Sequence, residues 1–316
     1  MATIIIKTIK SAGGDYTSRS AYEAGEQGDL VTADQVRKAE IYAFADSTSI
    51  VVDGSTTDAT RYMWFHVVPT DRHAGVYDSA KARVSVNLDG ATVNVVDPYC
   101  LYEFDQIENT HANGKGIGSS STVYAGFVVN ACIITGAGSG TTGIAVGNGY
   151  TPEHTRNCVI KGWGTGVQDW YGSNPYIDNN TIINCGTGIH RNAGTMTVKN
   201  CYVGNCTTEY SGDMTRTTCA HSSATVYSGS TASVAYSTAN FTNVTAGSEN
   251  LHLVSGSALI DVGTDLSASF TVDIDGVTRS GTWDIGADEY VAAAGGQPYI
   301  KRTGGVPFMA RNRGIW

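Results

Sequence analysis

The chain has 316 residues, of which 38 are glycine and 16% are charged, whereas an average globular domain has about 25% charged residues. Abundant glycine favours short strands joined by tight turns and argues against a helical enzyme, while 41% hydrophobic residues argue against a disordered chain. The formal charge is −9, and the segment 291–316 holds four basic and no acidic residues. The first 290 residues therefore carry 16 basic and 29 acidic side chains. Their net charge of −13 disfavours binding to nucleic acid, because it repels the phosphates.

The N-terminal residues 1–45 are predicted to cap one end of the fold. Ile4–Ile6 has the composition of a strand, and residues 15–27 and 33–39 are the segments with helix-forming sequences. No signal peptide is predicted, because Met1–Lys10 lacks a basic region followed by an apolar stretch.

The next segments alternate apolar and polar residues. Ser49–Asp53 and Tyr62–Val68 show this period of two and are predicted as the first strands of a stack that covers residues 46–247. The uncharged stretch between Lys115 and Glu153 is interrupted by polar residues and glycines, so no membrane span is predicted.

An internal repeat occupies the middle of the chain. The segment Asn157–Val167 aligns with Asn179–Ile189 at an offset of 22 residues, and a third copy begins at Asn200. Glycine, asparagine and β-branched residues at this period predict a parallel β-solenoid, and the missing leucine spacing excludes leucine-rich repeats. Equivalent residues lie about 4.8 Å apart in such a stack, so Asn157, Asn179 and Asn200 are predicted to form an amide ladder.

The same register places charged residues in outward columns. Arg156, Asp178 and Lys199 are equivalent, as are Asp169 and Arg191, which predicts stacked opposite charges on an exposed face. No column offers the two carboxylates that acid/base glycoside hydrolysis needs, so no catalytic residue is assigned. The seven cysteines have no zinc spacing and are predicted to be reduced and buried, and neither a metal nor a cofactor is predicted.

Aromatic and basic residues cluster around the repeat. They could stack on sugar rings and hydrogen-bond hydroxyl groups, and the alternative is turn packing and surface decoration. The residues predicted for glycan binding are His154, Arg156, Trp163, Trp170, Tyr171, His190 and Arg191.

Three segments carry a resemblance to a known superfamily. Gly13–Ser18 is similar to the capping entry of right-handed parallel β-helix proteins of the pectate-lyase-like superfamily, and Asn174–Ile182 resembles their coil repeat. Asp273–Gly276, Arg279 and Asp284–Glu289 resemble the closing motif of surface and phage-encoded members. The resemblance implies an all-β, right-handed parallel β-helix, but not an activity, because the superfamily includes lyases, hydrolases, adhesins and tailspikes.

Residues 248–290 are predicted to close and cap the stack. Within them, Asp273, Asp275, Arg279 and Asp284 could bind Ca²⁺ or form an ionic and turn network, and the network is favoured. Residues 291–316 are predicted to be a basic, aromatic tail that docks into another subunit or another particle protein. The predicted docking residues are Tyr299, Lys301, Arg302, Phe308, Met309, Arg311, Arg313 and Trp316.

Two functional hypotheses follow from these features. The favoured one is a non-enzymatic structural or adhesive subunit of a phage-like particle (a decoration, fibre or spike protein) that binds surface polysaccharide and is found on a virion or an extracellular surface. The alternative is a polysaccharide lyase or glycoside hydrolase. The analogy with tailspikes also implies a homo-oligomer, with a trimer as the expected form.

Overall fold

The computed structural model describes residues 2–118, 127–146, 153–170, 172, 174–225 and 227–292. Two short helices follow the first strand and precede a long series of further strands. The helices are α1 (Arg19–Glu26) and α2 (Leu30–Ala33). The strands are β1 (Thr3–Ile9), β2 (Gln35–Ile41), β3 (Ala45–Asp46), β4 (Ile50–Val52), β5 (Met63–Val67), β6 (Arg83–Val86), β7 (Ala91–Val95), β8 (Cys100–Glu103), β9 (Gln106–Asn109), β10 (Lys115–Gly118), β11 (Val128–Asn130), β12 (Ile133–Val146), β13 (His154–Arg156), β14 (Val159–Asp169), β15 (Tyr176–Asp178), β16 (Thr181–Ile183), β17 (Thr187–Arg191), β18 (Thr197–Lys199), β19 (Tyr202–Gly204), β20 (Thr208–Ser211), β21 (Thr215–Thr217), β22 (Cys219–His221), β23 (Ser230–Ser233), β24 (Phe241–Asn243) and β25 (Asn250–Leu253).

Strands β1–β23 pair in parallel and form three stacks, whereas β24 and β25 form a separate antiparallel pair. The first stack is a nine-stranded sheet in the order β1-β2-β5-β8-β11-β13-β15-β18-β21. The second runs from β3 through β6, β9, β12, β14, β16, β19 and β22 to β23, and the third runs from β4 through β7, β10, β12, β14 and β17 to β20. The long strands β12 and β14 belong to both the second and the third stack. The predicted parallel β-helix is therefore confirmed.

The stack begins earlier in the chain than the sequence predicts. β1 pairs with β2 over its whole length, and β2 pairs with β5, so the first stack starts at Thr3 rather than near residue 46. The predicted helix at 33–39 is wrong, because only Leu30–Ala33 is helical and Gln35–Ile41 is a strand. Pairing with a neighbour on each side outweighs the weak local helix preference of this segment.

The turn between the first and second stacks has a left-handed residue in six successive coils, from β8–β9 to β21–β22. Phe104, Ala131, Asn157, Asn179, Asn200 and Thr218 all have φ between 50° and 61°. Asparagine tolerates this conformation better than most residues. The Asn200 amide donates to Asn179 Oδ1 at 3.0 Å, and Asn157 donates to Asn130 Oδ1 at 3.1 Å. The amide ladder thus consists of two pairs, and residues from elsewhere in the chain bind between them.

The segment that follows the last coil lies along the side of the stack. The Arg279 guanidinium donates to Asn157 Oδ1 at 3.0 Å, and the Asn179 amide donates to the Asp284 carbonyl at 2.9 Å. The Asn200 amide likewise donates to the Thr264 carbonyl at 2.7 Å. Part of the segment predicted as a terminal cap, 248–290, is therefore held laterally by the polar atoms of the asparagine turn.

Two hydrophobic clusters match this arrangement. The larger one fills the inside of the coils, where Phe65 and Tyr102 stack with their ring centroids 4.6 Å apart. The smaller one lies on the outer side of the second stack, where Val159 and Ile183 pack in the same cluster as Phe241 and Leu251.

All seven cysteines are free thiols; six are buried and Cys206 is partly exposed, as expected for small apolar side chains. Within the described residues, neither helix has the length and apolar character that a membrane crossing requires.

Candidate functional site

A shallow groove lies on the outer face of the third stack. It encloses about 360 Å³ and is lined by Ser49, Val51, Leu88, Gly90, Ala91, Asn94, Lys115, Gly118, Ala145 and Trp170. The register places Val51, Asn94, Gly118 and Ala145 in one outward column across four coils. Because two of these positions have almost no side chain, they leave a flat floor between larger neighbours.

Trp170 forms a wall of this groove. It follows directly after β14, and its side chain is 39% exposed. Its backbone N–H donates to the Val146 carbonyl at 3.1 Å, and its own carbonyl accepts from the Asn192 amide at 3.1 Å. The neighbouring coils on both sides therefore hold the backbone of this exposed indole, which is a flat apolar surface with a polar N–H at one edge.

The groove has little charge of its own. Among the ten lining residues that the structure describes, Lys115 is the one ionisable side chain and none carries a carboxylate. His190 lies in the same outward column as Ala145, two coils further along, and Arg191 is its neighbour on β17. The Arg191 guanidinium donates to the Ala193 and Asp213 carbonyls, so the turns of adjacent coils already bind it.

His154 and Arg156 lie on a different face. Both belong to β13 of the first stack, where the His154 ring stacks on Tyr176 with a centroid distance of 5.0 Å. Arg156 lies with its guanidinium 5.3 Å from the centre of the Phe270 ring and donates to the Ser269 carbonyl. Burial, together with the charge of Arg156, lowers the pKa of His154 to about 4. These two residues therefore do not share a site with Trp170.

Trp163 is a core residue, which corrects its prediction as a glycan contact. Its side chain is 0% exposed, and its Nε1–H donates to the Ile134 carbonyl at 3.2 Å. A Cβ atom at Gly136, Gly140 or Gly143 would lie 2.6–2.9 Å from the indole. The glycines of the preceding coil thus leave room for this ring. Their spacing in the sequence is the signal from which the burial of Trp163 could have been predicted. Tyr171 and the eight predicted docking residues of the tail lie outside the described residues.

A polar cluster on the outer face of the first stack was not found from the sequence. Glu103 accepts hydrogen bonds from Trp64 Nε1 at 2.9 Å and from the Asn130 amide at 2.9 Å, and its Oε2 lies 3.2 Å from His66 Nδ1. The far nitrogen of His66 lies 3.0 Å from the Arg72 guanidinium. Burial alone would raise the pKa of Glu103, but these hydrogen bonds outweigh it and hold the pKa below its usual value.

Asp178 is a second carboxylate on this face, in the predicted column with Arg156 and Lys199. Burial raises its pKa to about 7, and the two neighbouring cations oppose this only in part. Asp178 stands three strands away from Glu103, which corresponds to about 14 Å at the usual strand spacing. Glycosidases hold their two carboxyl groups roughly 5–9.5 Å apart, so this pair is too widely separated for that chemistry.

The closing motif forms an ionic and turn network. Asp273 accepts from the backbone N–H groups of Asp275, Val277 and Glu289, and Arg279 donates to Glu289 Oε2 at 3.0 Å. Asp284 accepts from the N–H groups of Asp261 and Tyr290 at 2.7 and 2.6 Å. Backbone donors thus occupy the carboxylates of Asp273 and Asp284.

His252 lies beside this network. Its Nε2 is 2.7 Å from Asp275 Oδ2, and its Nδ1 is 2.6 Å from Asn250 Oδ1. Burial lowers the pKa of His252, but the hydrogen bond to Asp275 and the nearby charge of Asp288 outweigh this effect and raise it to about 9. No pattern in the sequence indicates this histidine, because its acidic partners are more than 20 residues away in the chain.

Comparisons with known proteins concern the fold. A family model described as "Right handed beta helix region" matches residues 76–260, which is more than half of the chain. No curated protein matches the chain. Among solved structures, the chain is similar to one titled "Crystal structure of pectate lyase Pel9A", at 12% sequence identity and a TM-score of 0.42, over 92% of this chain and 97% of that chain.

Proposed function

The chain belongs to the right-handed β-helix family, and we propose that it is a non-enzymatic, adhesive β-helix that binds glycan in the groove beside Trp170. In this proposal it serves as a decoration, fibre or spike subunit of a phage-like particle. The observation that carries the proposal is the exposed indole next to a floor of small residues.

The shape of the groove fits a sugar. Its volume of about 360 Å³ is near the lower end of the roughly 300–1,000 Å³ of ligand pockets, which corresponds to a short stretch of glycan. The flat floor and the indole can contact the apolar face of a pyranose ring, while Asn94 and Lys115 can hydrogen-bond its hydroxyl groups.

The same lining favours binding over cleavage. Hydrolysis needs two carboxyl groups, and elimination needs a base that removes a proton from the sugar. The ten described residues of the lining supply no carboxylate and no histidine. A sugar in this groove would therefore be held without an acid and a base on either side of its glycosidic bond.

A Trp170→Ala variant tests the binding site. Glycan arrays identify an oligosaccharide that the protein binds, and calorimetry then measures its Kd. We expect a loss of about tenfold in affinity, equivalent to about 1.4 kcal/mol, because the stacking surface is removed. Trp64→Ala is the matched control, since Trp64 is also partly exposed but belongs to the first stack. Absence of any bound glycan, or equal affinity in both variants, would contradict the proposal.

The tail 291–316 supports the attachment part of the proposal. It combines four cations with aromatic residues and contains no acidic residue, which is the composition of an interface anchor. Deleting these residues should leave a folded and monodisperse body that no longer assembles, as measured by mass photometry. Unchanged assembly of the truncated protein would show that attachment uses another surface.

The second candidate is a polysaccharide lyase or glycoside hydrolase that works on the face of the first stack. It is favoured by the contacts of His66, which lies between the Glu103 carboxylate and the Arg72 guanidinium and thus places an imidazole beside an anion and a cation. Turnover on acidic and neutral glycans, followed by unsaturated-product absorbance and reducing ends, tests it. Turnover that is lost in Glu103→Gln would establish this candidate in place of the first.

A further inference from the structure

Three potential metal ligands meet where β25 contacts the closing motif. His252, Asp275 and Asp288 each offer one ligand atom, and these atoms lie within 4.8 Å of one another. His252 comes from β25, whereas the two aspartates belong to the segment that lies along the side of the stack. The cluster therefore joins two parts of the chain that are otherwise connected by packing and backbone hydrogen bonds.

The histidine is oriented as a metal ligand would be. Its Nδ1 faces Asn250 Oδ1 at 2.6 Å, and an amide oxygen is an acceptor, so Nδ1 carries a proton. Nε2 lies 2.7 Å from Asp275 Oδ2 and donates its proton to that oxygen, so a metal ion binds by displacing this proton, which frees the Nε2 lone pair on the side of the carboxylates. A second-shell oxygen on the far ring nitrogen is the usual partner of a metal-bound histidine, because it fixes the tautomer and the ring orientation.

Each of the two carboxylates has an oxygen that can bind a cation. Asp275 Oδ1 is buried and has no hydrogen-bond partner within the described part of the chain. Asp288 Oδ2 accepts from the Leu253 N–H at 2.7 Å, which holds the side chain in place and leaves its second oxygen for a cation. An orphaned buried carboxylate oxygen is costly unless a ligand satisfies it.

A glycine keeps the approach to these atoms open. Gly75 has φ of +67°, and a Cβ atom there would lie 2.6 Å from His252 Nε2 and 2.7 Å from Asp275 Oδ1. Any side chain at this position would therefore press on two of the donor atoms. His252 and Asp275 remain partly exposed, at 27% and 17% of their side-chain surface, so an ion can enter from solvent.

We infer that His252, Asp275 and Asp288 bind one divalent transition-metal ion, with Zn²⁺ as the best fit, and that the ion ties β25 to the closing motif. Zn²⁺ binds both imidazole nitrogen and carboxylate oxygen, and three protein ligands leave its fourth tetrahedral position for water. Calcium fits less well, because it takes six to eight oxygen ligands. The site is distinct from the groove beside Trp170 and does not depend on the proposed function.

The test uses full-length protein without a histidine tag. Calorimetry with ZnCl₂, and with CaCl₂ as comparison, measures stoichiometry and affinity, and thermal melting measures stabilisation. We expect one Zn²⁺ per chain, a rise in Tm at saturating zinc, and an anomalous peak about 2.0–2.2 Å from the three donor atoms in crystals grown with zinc. His252→Gln and Asp288→Asn should weaken zinc binding more than ~100-fold, whereas Asn250→Ala should weaken it about 10–100-fold.

His111→Gln is the matched control, because His111 lies in a turn between β9 and β10 and should bind no part of this ion. The metal-free melting curve of each variant shows whether it is folded, and Asn250→Ala gives a readout that leaves all three ligands in place. No stoichiometric zinc binding by the wild-type protein, tighter binding of calcium than of zinc, or equal zinc affinity in His252→Gln and His111→Gln would overturn the inference.

Discussion

The buried guanidinium of Arg19 allows a quantitative test of how the N-terminal segment is held to the coils. Arg19 is the first residue of α1 and is 0% exposed. Its Nε and Nη2 both donate to the Asp105 carboxylate at 2.8 Å, and its Nη1 lies 3.5 Å from Asp46 Oδ2. The pair Arg19–Asp105 joins residues 86 positions apart, so it depends on the assembled stack.

Replacing Arg19 by methionine keeps the length of the side chain but removes the cation. Asp105, itself 0% exposed, is then left without its bidentate partner. Removing one member of a buried ion pair costs about 3–5 kcal/mol, because the remaining charge is uncompensated. The double variant Arg19→Met/Asp105→Leu removes both charges of this pair, and Asp46 keeps its hydrogen bonds from the backbone N–H groups of residues 19 and 48, so we expect more than half of the lost stability to return.

The measurement is equilibrium urea unfolding at pH 7, followed by far-UV circular dichroism. Arg61→Met is the control, since Arg61 binds Asp34 and Asp58 at 2.9 Å but its side chain is 32% exposed, and ion pairs in contact with solvent contribute little to stability. Equal destabilisation by Arg19→Met and Arg61→Met would refute the reasoning, and so would a double variant that is less stable than Arg19→Met.

Three further predictions concern single residues. Trp163→Ala should lower the free energy of unfolding by about 3–5 kcal/mol because it opens a core cavity, and calorimetry should show unchanged glycan affinity. Asp178 has a pKa raised to about 7, so the folded state favours its protonated form and loses stability as the pH rises from about 4 through 7. Asp178→Asn should therefore raise stability at pH 8 by at most ~4 kcal/mol but leave it nearly unchanged at pH 3, as thermal melts at both pH values would show. Asn200→Ala removes hydrogen bonds to Asn179 and Thr264 and should cost at least ~2 kcal/mol in urea unfolding, whereas a neutral result would mean that the amide ladder is dispensable.

The repeat is the feature that could be predicted from the sequence in detail. Arg156 pairs with Asp178, and Asp178 with Lys199, in the register that the 22-residue period predicts. This works because each coil contacts the next one, so equivalent residues in the sequence become neighbours in space. The prediction was wrong for Gln35–Ile41, where the helix preference was weak and pairing with β1 and β5 decided the conformation.

The candidate site was only partly predictable, because an aromatic residue in a repeat can face either way. Trp163 and Trp170 are seven residues apart on or beside β14, yet one fills the core and the other lines the groove. The inward column of Trp163 follows from its alignment with Gly140, and the groove follows from the small residues Gly118 and Ala145 in adjacent coils. These are contacts between coils, and the spacing within one repeat does not specify them.

By itself, the sequence determined the stacked architecture, the turn asparagines and the columns of equivalent charges, since all of these repeat along the chain at a short period. Only the tertiary structure decided that the segment after the last coil lies along the side of the stack. Arg279 reaches Asn157 across 122 residues, and His252 meets Asp275 beside Gly75. Such contacts depend on shape and on polar groups left unsatisfied by the coils, and no periodic pattern encodes which distant segment will satisfy them.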